Sequence, residues 1–259
     1  SYRLFLAGIR CRWKLSPLFI SIEPTNVCNL HCPECPVGTH SGRIERENAD
    51  ENMVFKLLDE LQSTLMHVIF YFQGEPLMNR NFTNLVRYAH SKNMLTSTST
   101  NAQLINSKKK KKIVESGLDR LIISIDGATQ ETYEAYRVGG SLNKATEAVE
   151  NLTKWKKVLK SPSPFIEIQF LVLKTNEHQM NEMKQLARKL KADKLTFKSA
   201  QLADFENGNP LLPENKRYAR YERKPDGKYY IKNPLRNRCS RMWNGAVVTS
   251  RGDVLPCCF

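Results

Sequence analysis

A chain of 259 residues, 41% hydrophobic and 25% charged, is long enough for one large domain or two small ones with a substantial core. No apolar run approaches the about 18 residues needed to span a bilayer, and Ser1-Tyr2-Arg3-Leu4-Phe5-Leu6 lacks the apolar length and cleavage site of a signal peptide. The balance of 40 Lys and Arg against 26 Asp and Glu, a net +14, suits nucleic acid, an acidic membrane surface, an anionic substrate or plain solubility, but no stripe of basic and aromatic residues marks single-strand binding.

In chain order, residues 4–13 place Leu4, Phe5, Leu6, Ile9 and Trp13 at helical spacing, so residues 1–17 read as an N-terminal helix ended by Pro17. Leu18–Glu23 reads as a strand stopping at Pro24. A helix is expected over 50–63, a doubly buried strand over Met66–Phe72, a helix over Asn79–Ser91 and a short strand over Met94–Ser97. Ser107 is placed to cap the next helix and Gly117 to end it. A strand over Leu121–Ile125, helical patterns over 130–137 and 142–159, a strand over Phe165–Leu173, a helix over Asn176–Leu190 and a strand over Lys194–Lys198 complete six alternations.

Such alternation implies a parallel sheet, and six units curl into a partial (β/α)6 TIM-like barrel over residues 18–200. Residues 201–236, punctuated by Gly208, Pro210, Pro213, Pro225, Gly227 and Pro234, read as a linker or irregular cover. Residues 237–259 read as a small C-terminal Cys-containing extension: Cys239, a strand-like Ala246–Ser250, a turn at Arg251-Gly252-Asp253, Val254-Leu255, then Cys257 and Cys258. A start without Met and a stop one residue after Cys258 lead us to expect a longer protein.

In β/α barrels chemistry sits at the C-terminal strand ends. Here each end carries polar residues: Glu23 to Asn26, Gln73 to Pro76, Ser97 to Asn101, Ser124 with Asp126 and Gly127, Lys174 to Asn176, Lys198 with Ser199. Turn chemistry explains any one rim, but less readily all six. His67, His90 and His178 fall within strand or helix patterns and read as structural.

Seven Cys, an odd and clustered set, argue against a disulfide scaffold and for a reducing cytoplasm. Cys28-x3-Cys32-x2-Cys35 brings three thiolates onto one loop, suiting an iron–sulfur cubane with a fourth, open iron. A zinc site completed by His31 or His40 stays open at this point. Cys11 has no partner in the pattern and reads as structural.

The cysteine motif just after the first strand of such a barrel resembles that of the radical S-adenosylmethionine superfamily. The resemblance implies a [4Fe–4S] cluster on Cys28, Cys32 and Cys35 whose open iron chelates S-adenosylmethionine. One electron, from a flavodoxin- or ferredoxin-type donor, then releases a 5′-deoxyadenosyl radical that takes a hydrogen atom from substrate. Gln73-Gly74-Glu75-Pro76 resembles the family's methionine-binding motif, Ser97, Thr98 and Asn101 its third-strand rim, and Ser124 with Asp126 and Arg137 its fourth-strand segment. Ser124 and Asp126 would face the ribose or methionine, and Arg137 its carboxylate. The chain departs from the pattern at Glu34, where the family has an aromatic, and at Gln73 and Ala102, where it has glycine.

Cys239 and Gly252-x4-Cys257 resemble the opening of a SPASM or twitch domain, which implies an auxiliary [4Fe–4S] cluster on Cys239, Cys257 and Cys258, completed beyond Phe259. For that subgroup the implied substrate is a peptide or protein, or a small molecule. The competing readings are an RNA-modifying enzyme, which steeply salt-dependent RNA binding would reveal, and a non-enzymatic zinc protein.

Overall fold

The computed structural model describes residues 16–39, 45–233 and 241–256. The expected N-terminal helix, Cys11, His40, Cys239, Cys257 and Cys258 lie outside these residues. Six parallel strands follow one another across the sheet in chain order: β1 (Phe19–Ile22), β2 (His67–Ile69), β3 (Leu95–Thr100), β4 (Arg120–Ser124), β5 (Phe165–Val172) and β6 (Lys194–Ser199). Between them run α1 (Pro36–Thr39), α2 (Glu51–Leu61), α3 (Phe82–Ser91), α4 (Ser107–Glu115), α5 (Gln130–Glu134), α6 (Leu142–Val158) and α7 (Met180–Lys189). The fold is the expected α/β partial barrel.

The alternation of side chains along each strand explains the layering. Ile20, Ile22, Val68, Phe70, Leu121, Ile123, Ile166, Ile168, Phe170 and Val172 pack in one core with Val54 and Leu58 of α2, Leu85 and Val86 of α3, Val149 and Leu152 of α6 and Met183 of α7. Polar residues on the strands bond one another across the sheet. His67 Nε2 lies 2.9 Å from Ser97 Oγ, Arg120 Nε donates to Glu167 Oε2 at 2.9 Å, and Thr196 Oγ1 donates to Glu167 Oε1 at 2.5 Å.

Several boundaries move for local reasons. β2 ends at Ile69, three residues short of the expected Phe72, and Tyr71 O accepts from Ser21 Oγ. β3 runs to Thr100 rather than Ser97, and Pro76–Met78 form a separate 3-10 turn ahead of α3. The cap of α4 is Asn106, whose Oδ1 accepts from Lys109 N at 3.1 Å, rather than Ser107. Gly117 ends that helix with φ +78, as expected, and a Cβ there would strike the His90 ring.

Two parts are more ordered than the expected cover and extension. Within 201–236, β7 (Tyr221–Arg223) and β8 (Tyr229–Ile231) form an antiparallel hairpin. Leu202 and Tyr221 are buried with Leu30, Cys32, Tyr136 and Leu173 in a second core beneath the cysteine loop. Near the C-terminus, α8 (Arg241–Asn244) leads into β9 (Gly245–Val248), which pairs in parallel with β1, and β10 (Val254–Leu255) pairs antiparallel with β9. These strands continue the barrel sheet, whose order is β10-β9-β1-β2-β3-β4-β5-β6. Glu23 Oε2 at the end of β1 accepts from Ser250 N and Oγ, both at 3.2 Å. Among the described residues no helix is long and apolar enough to cross a membrane.

Candidate active site at the barrel mouth

Cys28, Cys32 and Cys35 line one cavity of about 310 Å³ together with Gln73, Gly74, Glu75, Ser99, Asn101, Ser124 and Arg137. The cavity opens where β1, β2, β3 and β4 end, the position the strand rims predict.

The cysteine loop is held from both sides. Glu75 N donates to Val27 O at 2.8 Å. A Cβ on Gly74 would come within 2.0 Å of Thr25 O, so the missing side chain admits the backbone of the cysteine loop itself. Asn101 Nδ2 lies 3.8 Å from Cys28 Sγ, and Arg137 Nη1 lies 3.8 Å from Cys32 Sγ. Burial, above all, pushes the Cys28 thiol up to about 11 and also raises Cys32, where Arg137 opposes the shift.

The polar residues divide into two groups. Glu75 is buried and saturated: Oε1 accepts from Thr100 Oγ1 at 2.6 Å and Leu77 N at 3.2 Å, and Oε2 from Asn101 N at 2.8 Å. Burial pushes its carboxyl above the usual range despite these donors. Asp126 is fully buried and outside the cavity lining, with Oδ2 on Arg137 Nε at 2.5 Å and Oδ1 on Leu171 N at 2.6 Å. Both of its oxygens are thus bonded to protein, one of them to Arg137. Burial works against the Arg137 charge, but Asp126 and Cys32 hold its pKa above the ordinary value.

The second group is Gln73, Ser99 and Ser124, whose side chains line the cavity and bond no described protein group. They stand at the ends of three neighbouring strands with polar atoms left for a ligand.

Of the residues expected at the site, Ser97, Thr98 and Pro76 are not in the lining. Ser97 meets His67, Thr98 Oγ1 donates to Phe70 O at 2.7 Å, and Pro76 opens the 3-10 turn. Ser99 and Thr100 of the expected rim Ser97 to Asn101 line it, and Tyr71, Phe72, Leu30, Glu34 and Tyr136 do so without having been singled out for it. The two-residue period of β3 was the available signal: Asn101 on the rim brings Ser99, not Thr98, to the same face.

The donor set suits a cubane. Three sulfurs face one cavity, two of them near N–H donors, as thiolates carrying a cluster's charge require.

Residues 22–187 match the model of the Radical SAM superfamily, and the chain belongs to that superfamily. It is therefore an enzyme of a family that carries a [4Fe–4S] cluster and S-adenosylmethionine, and its relatives accord with the SPASM or twitch subgroup. It is 26% identical over 199 residues to the PqqA peptide cyclase of Bradyrhizobium diazoefficiens, covering 76% of this chain and 50% of that protein. It is 31% identical over 137 residues to the mycofactocin maturase MftC of Mycobacterium ulcerans, covering 53% and 37%. SuiB of Streptococcus suis bound to S-adenosylmethionine superposes with a TM-score of 0.73 at 15% identity, covering 99% of this chain and 64% of that one. The likeness extends to SuiB bound to precursor peptide SuiA, at 0.71 and 14%, with 99% and 63% covered. The chain spans about half or less of the length of these curated relatives.

Proposed function

We propose that this chain carries the catalytic barrel of a radical S-adenosylmethionine enzyme that modifies a peptide. The observation that carries the reading is the shared cavity: it is lined by three cluster-type cysteines together with Gln73, Ser99 and Ser124, whose side chains bond no group among the described residues. Bound there, the cluster and S-adenosylmethionine supply reductive cleavage to a 5′-deoxyadenosyl radical that abstracts hydrogen from substrate.

The residues of this chain hold and shield those groups. Cys28, Cys32 and Cys35 ligate three irons. Arg137, kept charged and oriented by Asp126, places a cation beside Cys32. Gln73, Ser99 and Ser124 offer an amide and two hydroxyls to S-adenosylmethionine. Glu75 acts behind them, fixing the Asn101 backbone. Leu30 and Tyr136 close the apolar side of the cavity and exclude water.

A peptide substrate is supported by the relatives, since one is named a peptide cyclase and SuiB binds a precursor peptide. An auxiliary cluster on Cys239, Cys257 and Cys258, and a flavodoxin- or ferredoxin-type donor, are part of the same proposal.

The test is anaerobic reconstitution of the full-length protein. Iron and acid-labile sulfide near four each per three-cysteine site, and release of 5′-deoxyadenosine on reduction, are expected. Cys32→Ala should abolish that release with the circular dichroism of the chain unchanged. Wild-type protein that holds no iron, or a variant that still cleaves, would defeat the reading.

A further inference from the structure

Glu34 stands between two cluster cysteines, where the resembling family has an aromatic, and it lines the cavity. Its two oxygens are bonded to the segment after β6. Oε2 accepts from Ala203 N at 2.8 Å and Oε1 from Asn209 Nδ2 at 3.1 Å. The residues it grips belong to the strap that follows β6.

The strap is held elsewhere as well. Lys174 N donates to Leu211 O at 3.1 Å, and the Glu177 carboxylate accepts from Glu214 N at 3.0 Å and Asn215 N at 2.8 Å. Those contacts fix its far end to β5 and to the turn before α7. Near the cysteines, Leu202 is buried and its N donates to Tyr221 Oη at 2.9 Å, while Ala203 itself is exposed. Between Ala203 and Asn209 the strap's polar tie to the cysteine loop is Glu34.

We propose that Glu34 is a positioning residue: its carboxylate ties residues 203–209 to the cysteine loop and so fixes the place of its own side chain in the cavity lining. The two bonds are charge-assisted and add to the Tyr229 N bond to Glu206 O at 2.8 Å and the stacking of Phe205 on Tyr221, which hold the strap to the β7–β8 hairpin. The consequence for S-adenosylmethionine rests on the function proposed above; the tie itself does not.

Hydrogen exchange of the full-length protein without cluster or ligand tests the tie. Glu34→Ala should speed exchange across 203–211 at least about tenfold, the scale of one charge-assisted bond, while peptides from β4 and β5 keep their wild-type rates. Asn209→Asp should do the same by setting carboxylate against carboxylate. Glu34→Gln with Asn209→Asp reverses the donor and acceptor and should return most of the protection, although Asn209 Nδ2 also donates to Asp204 O at 3.2 Å. If Glu34→Ala also speeds exchange in β4 and β5, the near-isosteric pair decides.

Exchange within twofold of wild type in Glu34→Ala, or no rescue in the double variant relative to Asn209→Asp alone, would overturn the proposal. In reconstituted protein, Glu34→Ala should raise KM for S-adenosylmethionine more than it lowers kcat. A wild-type protein without cleavage activity would count against the proposed function and leave the exchange result standing.

Discussion

Asp126 and Arg137 form a buried ion pair at 2.5 Å whose cationic partner extends to within 3.8 Å of Cys32 Sγ. The second Asp126 oxygen is spent on Leu171 N, so one carboxylate ties the fourth strand rim to the fifth and aims a guanidinium at the cysteines. Removing one partner leaves an uncompensated buried charge. Asp126→Ala should cost about 3–5 kcal/mol of stability, read as a lower urea midpoint. Asp126→Asn should cost less and still reduce 5′-deoxyadenosine release, because Arg137 loses its counter-charge.

Gly74→Ala tests the closeness of the second rim to the cysteine loop. The added methyl meets Thr25 backbone at 2.0 Å, and backbone cannot rotate away. The variant should lose about 1–3 kcal/mol or more. It should also take up less iron on reconstitution, because Thr25 lies three positions before Cys28. Thermal melting and iron analysis check both.

Glu75→Gln keeps the shape and changes one acceptor into a donor. Thr100 Oγ1, Leu77 N and Asn101 N all point at the carboxylate, so one of them is left facing an N–H. A loss of about 1–3 kcal/mol is expected for the orphaned donor. A midpoint equal to wild type would show that the three bonds are not made in solution.

Glu167 sets part of the acid limb of stability. Burial alone would raise its carboxyl, but Thr196 and Arg120 outweigh it and hold the carboxyl below the usual range. A carboxylate lowered on folding contributes stability that is present above the unfolded value of about 4.3 and is lost as pH falls through the folded value. Unfolding free energy should therefore decline below about pH 4–5. Glu167→Gln should flatten that decline while lowering stability near neutrality.

Much of the barrel was legible in the residues. Strands such as Leu121–Ile125 and Phe165–Leu173 are mostly apolar and rich in Ile, and their neighbours repeat helical spacing, so element type followed from local pattern. The register of small or polar strands did not. Met94–Ser97 looked short because Ser99 and Thr100 resemble loop residues, yet pairing with Arg120–Ser124 carries β3 to Thr100. Residues 201–236 looked irregular because Gly and Pro punctuate a polar stretch; what orders the described part, 201–233, is distant, namely Glu34, Glu177 and the apolar underside of the cysteine loop.

By itself the sequence determined the family, the parallel α/β barrel and the three cysteines at its mouth. Each depends on spacing along the chain, and chain distance is written in the sequence. Only the tertiary structure decided that Asp126 and Glu75 are spent on protein donors, that Gln73, Ser99 and Ser124 line the cavity with no partner among the described residues, and that β9 joins β1 in the barrel sheet. Those outcomes depend on which groups meet across 11 to more than 200 residues. A carboxylate's role is set by the donors that reach it, and no local pattern records them.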